Sequence, residues 1–184
     1  MKAKFVNSIA FVFDFDDCLI KDTAKSHLYR NGKYIKSFTP DQFHHYIKKP
    51  NEEFDFSEFN NPKEIKANKG PIWNLLVKQD NLNKHELFIL TSRHKEAKPL
   101  IYDFIIKNGI KNLPIENIYC VGNQDLQSYQ IPGRKKEIII KYLQPVYDKI
   151  YVYDDNDLTI NNLNDIPKVY PILVKNEKYI NYES

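Results

Sequence analysis

The stretch Ile9-Ala10-Phe11-Val12-Phe13-Asp14-Phe15-Asp16-Asp17 decides the fold. Five apolar residues run without interruption and give way at once to acid, the pattern of a strand buried on both faces of a parallel sheet. Three similar runs follow at Leu87 to Leu90, Ile118 to Val121 and Ile150 to Tyr153. Helical patterns separate them. Pro99 to Lys107 carries Ile101, Phe104 and Ile105 at helical spacing and stops at Asn108-Gly109, a left-handed C-terminal signal. Glu137 to Leu143 repeats that spacing with Ile138, Ile139, Tyr142 and Leu143. Strands alternating with helices predict a three-layer α/β/α sandwich around a parallel, Rossmann-like sheet of about five strands. In such sheets, ligands sit at the carboxyl ends of the strands.

Lys21 to Gln79 departs from this rhythm. His27 to Ile35 reads as two short strands around Asn31-Gly32, the dipeptide preferred by a type I′ hairpin turn. Thr39-Pro40-Asp41-Gln42 combines a capping box with proline at the first helical position, which predicts a short helix to about Lys48, ended by Pro50. Asn51 to Lys69 is polar apart from Phe54, Phe56 and Phe59, read as an anchor for the insertion rather than a base-stacking platform. Gly70-Pro71 opens another helix through Trp73, Leu75 and Leu76, and the tail from Lys175 is expected to fray. The expectation is one domain over 1–184, with residues 21–80 forming a flap hairpin and a small insertion.

The 184 residues, 42% hydrophobic and 28% charged, suit one globular domain and exclude a large two-domain enzyme. A net charge of +3 tolerates a phosphorylated partner but falls short of a dense nucleic-acid-binding face. Cys18 and Cys120 form neither a CxxC pair nor a Cys/His ladder, so a reduced, cytoplasmic setting is expected. The apolar start breaks at Asp14, and no run approaches the roughly 20 apolar residues of a membrane span.

Four polar clusters carry chemistry. Asp14 and Asp16 follow the first strand, where alternate residues point the same way and can converge on one site. Thr91-Ser92-Arg93 follows the second strand and offers hydroxyls and a guanidinium to an anion. Gly133-Arg134-Lys135-Lys136 opens a helix, where backbone donors also favour an anion. Asp154-Asp155 ends the fourth strand as a second acidic pair suited to a metal. Together, on one sheet edge, these groups describe a site for Mg²⁺ and a phosphoryl group. A calcium loop fails because Leu19 stands where glycine is needed and Lys25 where glutamate is needed. His44, His45 and His94 lack metal spacing, and neither GxxxxGK[ST] nor GxGxxG is present. Asp157 reads as the N-cap of a helix beginning near Leu158.

This order and context resemble the haloacid dehalogenase (HAD) superfamily of phosphohydrolases. The matching stretches are Phe11 to Asp16, Phe88 to Thr91, Lys135 or Lys136 at a helix start, and Tyr151 to Asp155. Thr91-Ser92-Arg93 is also similar to the 3′-phosphatase modules of polynucleotide kinases. The superfamily resemblance implies Asp14 as a nucleophile forming an aspartyl-phosphate and Asp16 as the general acid and base. It implies Mg²⁺ held by the Asp14 side chain, the Asp16 backbone carbonyl and Asp154 or Asp155. Thr91 and Ser92 would bind phosphate, with Arg93 contacting substrate or pairing with a carboxylate. Lys135 is preferred over Lys136 because Ile138 and Ile139 lie one turn beyond it. Two positions depart from the pattern: Asp17 replaces the common glycine, and Cys18 replaces threonine or valine. The expected substrate is a phosphorylated small molecule, preferably a nucleotide, or a nucleic-acid end. The rival reading is a catalytically silent HAD-fold module binding a phosphorylated ligand or protein.

Overall fold

The computed structural model describes residues 8–21, 24–39, 42–43, 46–59, 65–122, 128–175 and 178–180. Its main sheet is built from β1 (Ile9–Phe13), β7 (Glu86–His94), β8 (Ile118–Gly122), β9 (Lys149–Asp154), β10 (Val169–Lys175) and β11 (Lys178–Ile180), in the order β11-β10-β9-β1-β7-β8. All neighbours pair in parallel except β11, which runs antiparallel to β10. The chain lays β7 and β8 to one side of β1, then returns to lay β9 and β10 on the other. The order therefore reverses between β1 and β9, and it is at the carboxyl ends of such a pair that open α/β sheets place their ligands.

Alternation along the strands builds the two outer layers. Phe11 and Phe13 of β1 join Leu87 and Ile89 of β7 on one face, covered by α1 (Trp73–Leu82) and α2 (Lys98–Lys107). Ala10, Val12, Phe88 and Leu90 face the other way. They meet Ile139 and Leu143 from the π-helical turn that extends α3 (Ile131–Ile138), and Leu163 of α4 (Asp157–Leu163). The result is the three-layer α/β/α sandwich that the period-two and period-3.6 patterns predict. Phe104 receives both Trp73 and Phe15 edge-on, at centroid separations of 5.8 and 6.0 Å. Such pairs contribute roughly 0.5–1.5 kcal/mol each beyond the area they bury. No helix among the described residues is long and apolar enough to cross a membrane.

The insertion contains a second sheet, in which β3 (Ser26–Arg30) pairs antiparallel with both β4 (Lys33–Phe38) and β5 (Glu52–Asp55). Asn31 and Gly32 join β3 to β4 at φ 50° and 73°, the two left-handed residues of a type I′ turn. Short β2 (Ile20–Lys21) and β6 (Asn68–Lys69) pair separately. Phe54 packs against Phe38, Phe43 and Tyr46, and Phe56 against Phe43, Phe59 and His94, which fixes the insertion as an aromatic cluster.

Several boundaries differ from expectation. The capping box forms, with Gln42 N donating to Thr39 Oγ1 and Thr39 N to Gln42 Oε1, but the helix ends before Tyr46. The buried Glu52 carboxylate accepts from Lys49 N, Tyr46 OH and Arg30, and so draws this segment into a loop. Residues 40, 41, 44 and 45 of that expected helix lie outside the described residues. In the tail, where fraying was expected, residues 178–180 pair with β10. The helix over 157–163 is capped by Asn156, whose side chain accepts from Leu158 N and Thr159 N, so Asp157 is the first helical residue and not the cap.

Two glycines separate close approach from mere conformational freedom. A Cβ at Gly122 would run into the Ser92 carbonyl oxygen and crowd the Arg93 backbone, whereas one at Gly133 meets nothing within 4 Å. Gly122→Ala should therefore lower stability by about 1–3 kcal/mol. Gly133→Ala, inside α3, should raise it by about 0.5–1 kcal/mol. Urea denaturation of both variants checks the contrast.

Candidate active site

The register of the sheet assembles the site. Phe13 pairs with Tyr153 of β9 and with Ile89 of β7, so the first residue past β1 is level with Asp154 and close to Thr91. Asp14 N donates to the Tyr153 carbonyl at 2.8 Å, which fixes where the acidic loop begins. That loop turns back at once, with Leu19 N and Ile20 N both donating to the Phe15 carbonyl at 3.0 Å. Asp17 sits at the corner with φ 56°. The left-handed conformation favours glycine, and aspartate is among the few other residues that adopt it readily.

Lys135 enters from α3 and joins the ends of two strands. Its Nζ donates to Asp14 Oδ1 and to Asp154 Oδ2, each at 2.7 Å, and all three side chains are buried. Among the described contacts it is Lys135, and not Lys136, whose ammonium reaches this cluster. The other Asp154 oxygen accepts from Asn156 N at 3.0 Å, so both of its oxygens are engaged by protein. Asp155 is half-buried, and its carboxylate accepts no hydrogen bond among the described residues. Asp14, Cys18 and Asp155 each offer one ligand atom, all within 4.8 Å of one another, a set able to hold a metal ion.

A second ion pair lies alongside. Arg93 is 4% exposed and grips Asp16 with Nη2 to Oδ1 at 2.6 Å and Nε to both oxygens at 3.1 and 3.0 Å. Its Nη1 donates to the Phe59 carbonyl at 2.8 Å, and its guanidinium lies 5.2 Å from the Phe15 ring centre and 5.3 Å from that of Phe59. Such sandwiching suits a planar, weakly hydrated cation. Thr91 is fully buried, and its Oγ1 accepts from Arg93 N at 3.2 Å. Ser92 lies in an irregular stretch of β7 between Thr91 and His94, and no hydrogen bond among the described residues joins it to the cluster.

The structure thus gathers Asp14, Asp16, Thr91, Arg93, Lys135, Asp154 and Asp155 at one sheet edge. Ser92 stands apart. Sequence reasoning missed two partners, the Phe59 carbonyl and the Cys18 thiol. The spacing of Thr91 and Arg93, two apart on one strand, was the available signal for the arginine's direction. A backbone carbonyl on a distant loop leaves none.

Four carboxylates here face two cations, and burial acts on Asp14 and Asp155 together with that surplus of negative charge. Burial pushes the Asp14 carboxyl up, Lys135 opposes this, and Asp154 and Asp16 add to the rise, leaving it at about 7. Asp155 is raised well above the carboxylate range by burial, Asp14 and Asp154. Burial would lower the Lys135 ammonium, but Asp14 and Asp154 outweigh it and hold the group charged. A divalent cation would relieve this surplus. No model of a known protein family matches the chain, and no curated protein is significantly similar to it.

A carboxyl raised on folding binds its proton more tightly in the native state, so its contribution is full below the unfolded value near 3.8 and is lost as pH rises through about 7. In EDTA, the stability of Asp14→Asn relative to wild type should therefore shift in favour of asparagine as pH rises from about 5 to about 8. Urea denaturation across that range is the check, and a pH-independent difference would contradict it.

Proposed function

We propose that this protein is a Mg²⁺-dependent phosphomonoesterase of the HAD type, working through an aspartyl-phosphate on Asp14. The observation that carries the reading is the buried Lys135 ammonium shared by Asp14 and Asp154, which unites three of the four motifs in one contact network. The lysine positions Asp14 and offers positive charge where a phosphoryl group would arrive. An oxygen of Asp14 forms a bond to phosphorus as the bond to the leaving oxygen breaks, and Asp16 gives that oxygen a proton. Water then attacks phosphorus, Asp16 takes the water's proton, and the bond to Asp14 breaks to release inorganic phosphate.

The donor set fits a divalent cation, since Asp14 and Asp155 bring hard oxygens within 4.8 Å of each other. Such an ion, when bound, supplies charge that offsets repulsion between these carboxylates and a phosphoryl dianion. Asp155 is the better ligand of the acidic pair because both oxygens of Asp154 are already engaged. Arg93 would hold Asp16 in place and must release one of its oxygens before Asp16 can pass a proton to a leaving group. Thr91 would meet a phosphoryl oxygen. A nucleotide or nucleic-acid terminal phosphate is the preferred substrate class, in keeping with the Thr91-Ser92-Arg93 resemblance and an insertion too small to wall off a bulky substrate. A cytoplasmic setting accords with two unpaired cysteines. The Arg93 grip on Asp16 is the one observation favouring the silent phosphate-binding module instead.

The test is phosphate release from mononucleotides, 3′- and 5′-phosphorylated oligonucleotides and sugar phosphates, with Mg²⁺ or EDTA. Turnover should vanish in EDTA and fall by about a thousandfold or more in Asp14→Asn. Arg93→Ala should lower kcat on the order of tenfold to a hundredfold with a smaller change in KM, as expected when a proton donor is mispositioned. No release by folded wild-type protein on any substrate would overturn the catalytic reading in favour of the binding module.

A further inference from the structure

The Cys18 side chain is fully buried in the apolar cluster that also holds Phe15, Leu19 and Ile72. A buried cysteine ordinarily behaves as a small apolar group. This one also brings Sγ within 4.8 Å of a carboxylate oxygen from both Asp14 and Asp155, and the thiol has no hydrogen-bond partner among the described residues. The Asp155 carboxylate is likewise without one. Two groups without hydrogen-bond partners among the described residues and the Asp14 carboxylate, which also accepts from Lys135, therefore lie close together.

The spacing suits a metal. Zinc-like ions bind carboxylate oxygen at about 2.0–2.2 Å and sulfur at about 2.3 Å, so donors in a tetrahedral set lie about 3.4–3.6 Å apart. The three atoms lie within 4.8 Å of one another, so each separation needs to shorten by at most about 1.4 Å to reach that spacing. Mg²⁺ uses oxygen ligands in near-octahedral geometry and gains nothing from sulfur. Zn²⁺ and Co²⁺ accept mixed sulfur and oxygen sets.

We propose that Cys18 makes this site a binding site for thiophilic divalent cations, which compete with Mg²⁺ for Asp14 and Asp155 and bind more tightly through an added metal–sulfur bond. The inference rests on the reading of Asp14 and Asp155 as cation ligands. The bond forms as the thiol proton leaves to solvent, with no change in oxidation state. Zn²⁺ then acts as an inhibitor of a Mg²⁺-supported reaction.

The experiment is Co²⁺ titration of metal-free wild type, Cys120→Ser and Cys18→Ser, followed by near-ultraviolet absorbance, with Zn²⁺ and Mg²⁺ affinities from calorimetry. A thiolate-to-cobalt charge-transfer band is expected in wild type and Cys120→Ser and not in Cys18→Ser. Zn²⁺ affinity should fall by about tenfold or more in Cys18→Ser, with Mg²⁺ affinity within about threefold of wild type. No band in wild type, a band that survives in Cys18→Ser, or equal losses of both affinities would each overturn the proposal. Should Cys18→Ser fail to fold, the other two proteins decide, because the chain has only two cysteines and a band kept in Cys120→Ser belongs to Cys18. The band does not depend on turnover. A protein that shows it yet releases no phosphate retains the metal site and loses only the phosphatase reading.

Discussion

A single ammonium group held between two buried carboxylates organises this molecule's functional edge. Lys135 ties the end of β1 to the end of β9 through Asp14 and Asp154, at 2.7 Å each. Burying three charges together costs heavily in desolvation, and replacing such a group with apolar residues is often neutral or stabilising. Its presence is therefore better understood through what it positions than through what it adds to stability. The lysine also fixes the seating of α3, since its helical position must bring Nζ over the ends of the two strands. Asp155 consequently remains available where its neighbour is fully occupied.

The second ion pair links the insertion to the same edge. Arg93 reaches Asp16 with two nitrogens and the Phe59 backbone with a third. Phe59 ends an aromatic path through Phe56, Phe43 and Phe54 into the antiparallel sheet. Glu58, one residue earlier, bonds His27 of β3 and Lys25 N. A shift of the small sheet would thus reach Asp16 through a short and continuous set of contacts.

The sandwich was legible because both of its periodicities are strong. Uninterrupted runs such as Ile9 to Phe13 admit few readings, and Asn31-Gly32 marks its turn through a backbone requirement that few dipeptides meet. Asp14 and Asp154 were legible because the sheet itself dictates where its strand ends gather, and Thr91 because it is level with them, although β7 continues past it to His94. What escaped depends on tertiary competition. Glu52 collects donors from Lys49, Tyr46 and Arg30 and diverts a segment with good helix-start chemistry. The strand over 178–180 forms because β10 offers an edge to pair with. The Arg93 contact with the Phe59 carbonyl and the convergence of Cys18 on two carboxylates join positions that no local pattern connects.

The chain holds one tryptophan, and its place in the structure gives the protein a built-in optical probe. Trp73 is 2% exposed and meets the edge of Phe104, which also receives Phe15 from the acidic loop. The same layer is bound to that loop through the main chain, with Ile72 N donating to the Cys18 carbonyl and Gly70 N to that of Leu19. Lys69 Nζ lies 5.2 Å from the indole ring centre. The emission of this one indole is therefore coupled to the packing directly behind the acidic loop, and an unlabelled sample can report on that loop's integrity by its fluorescence alone.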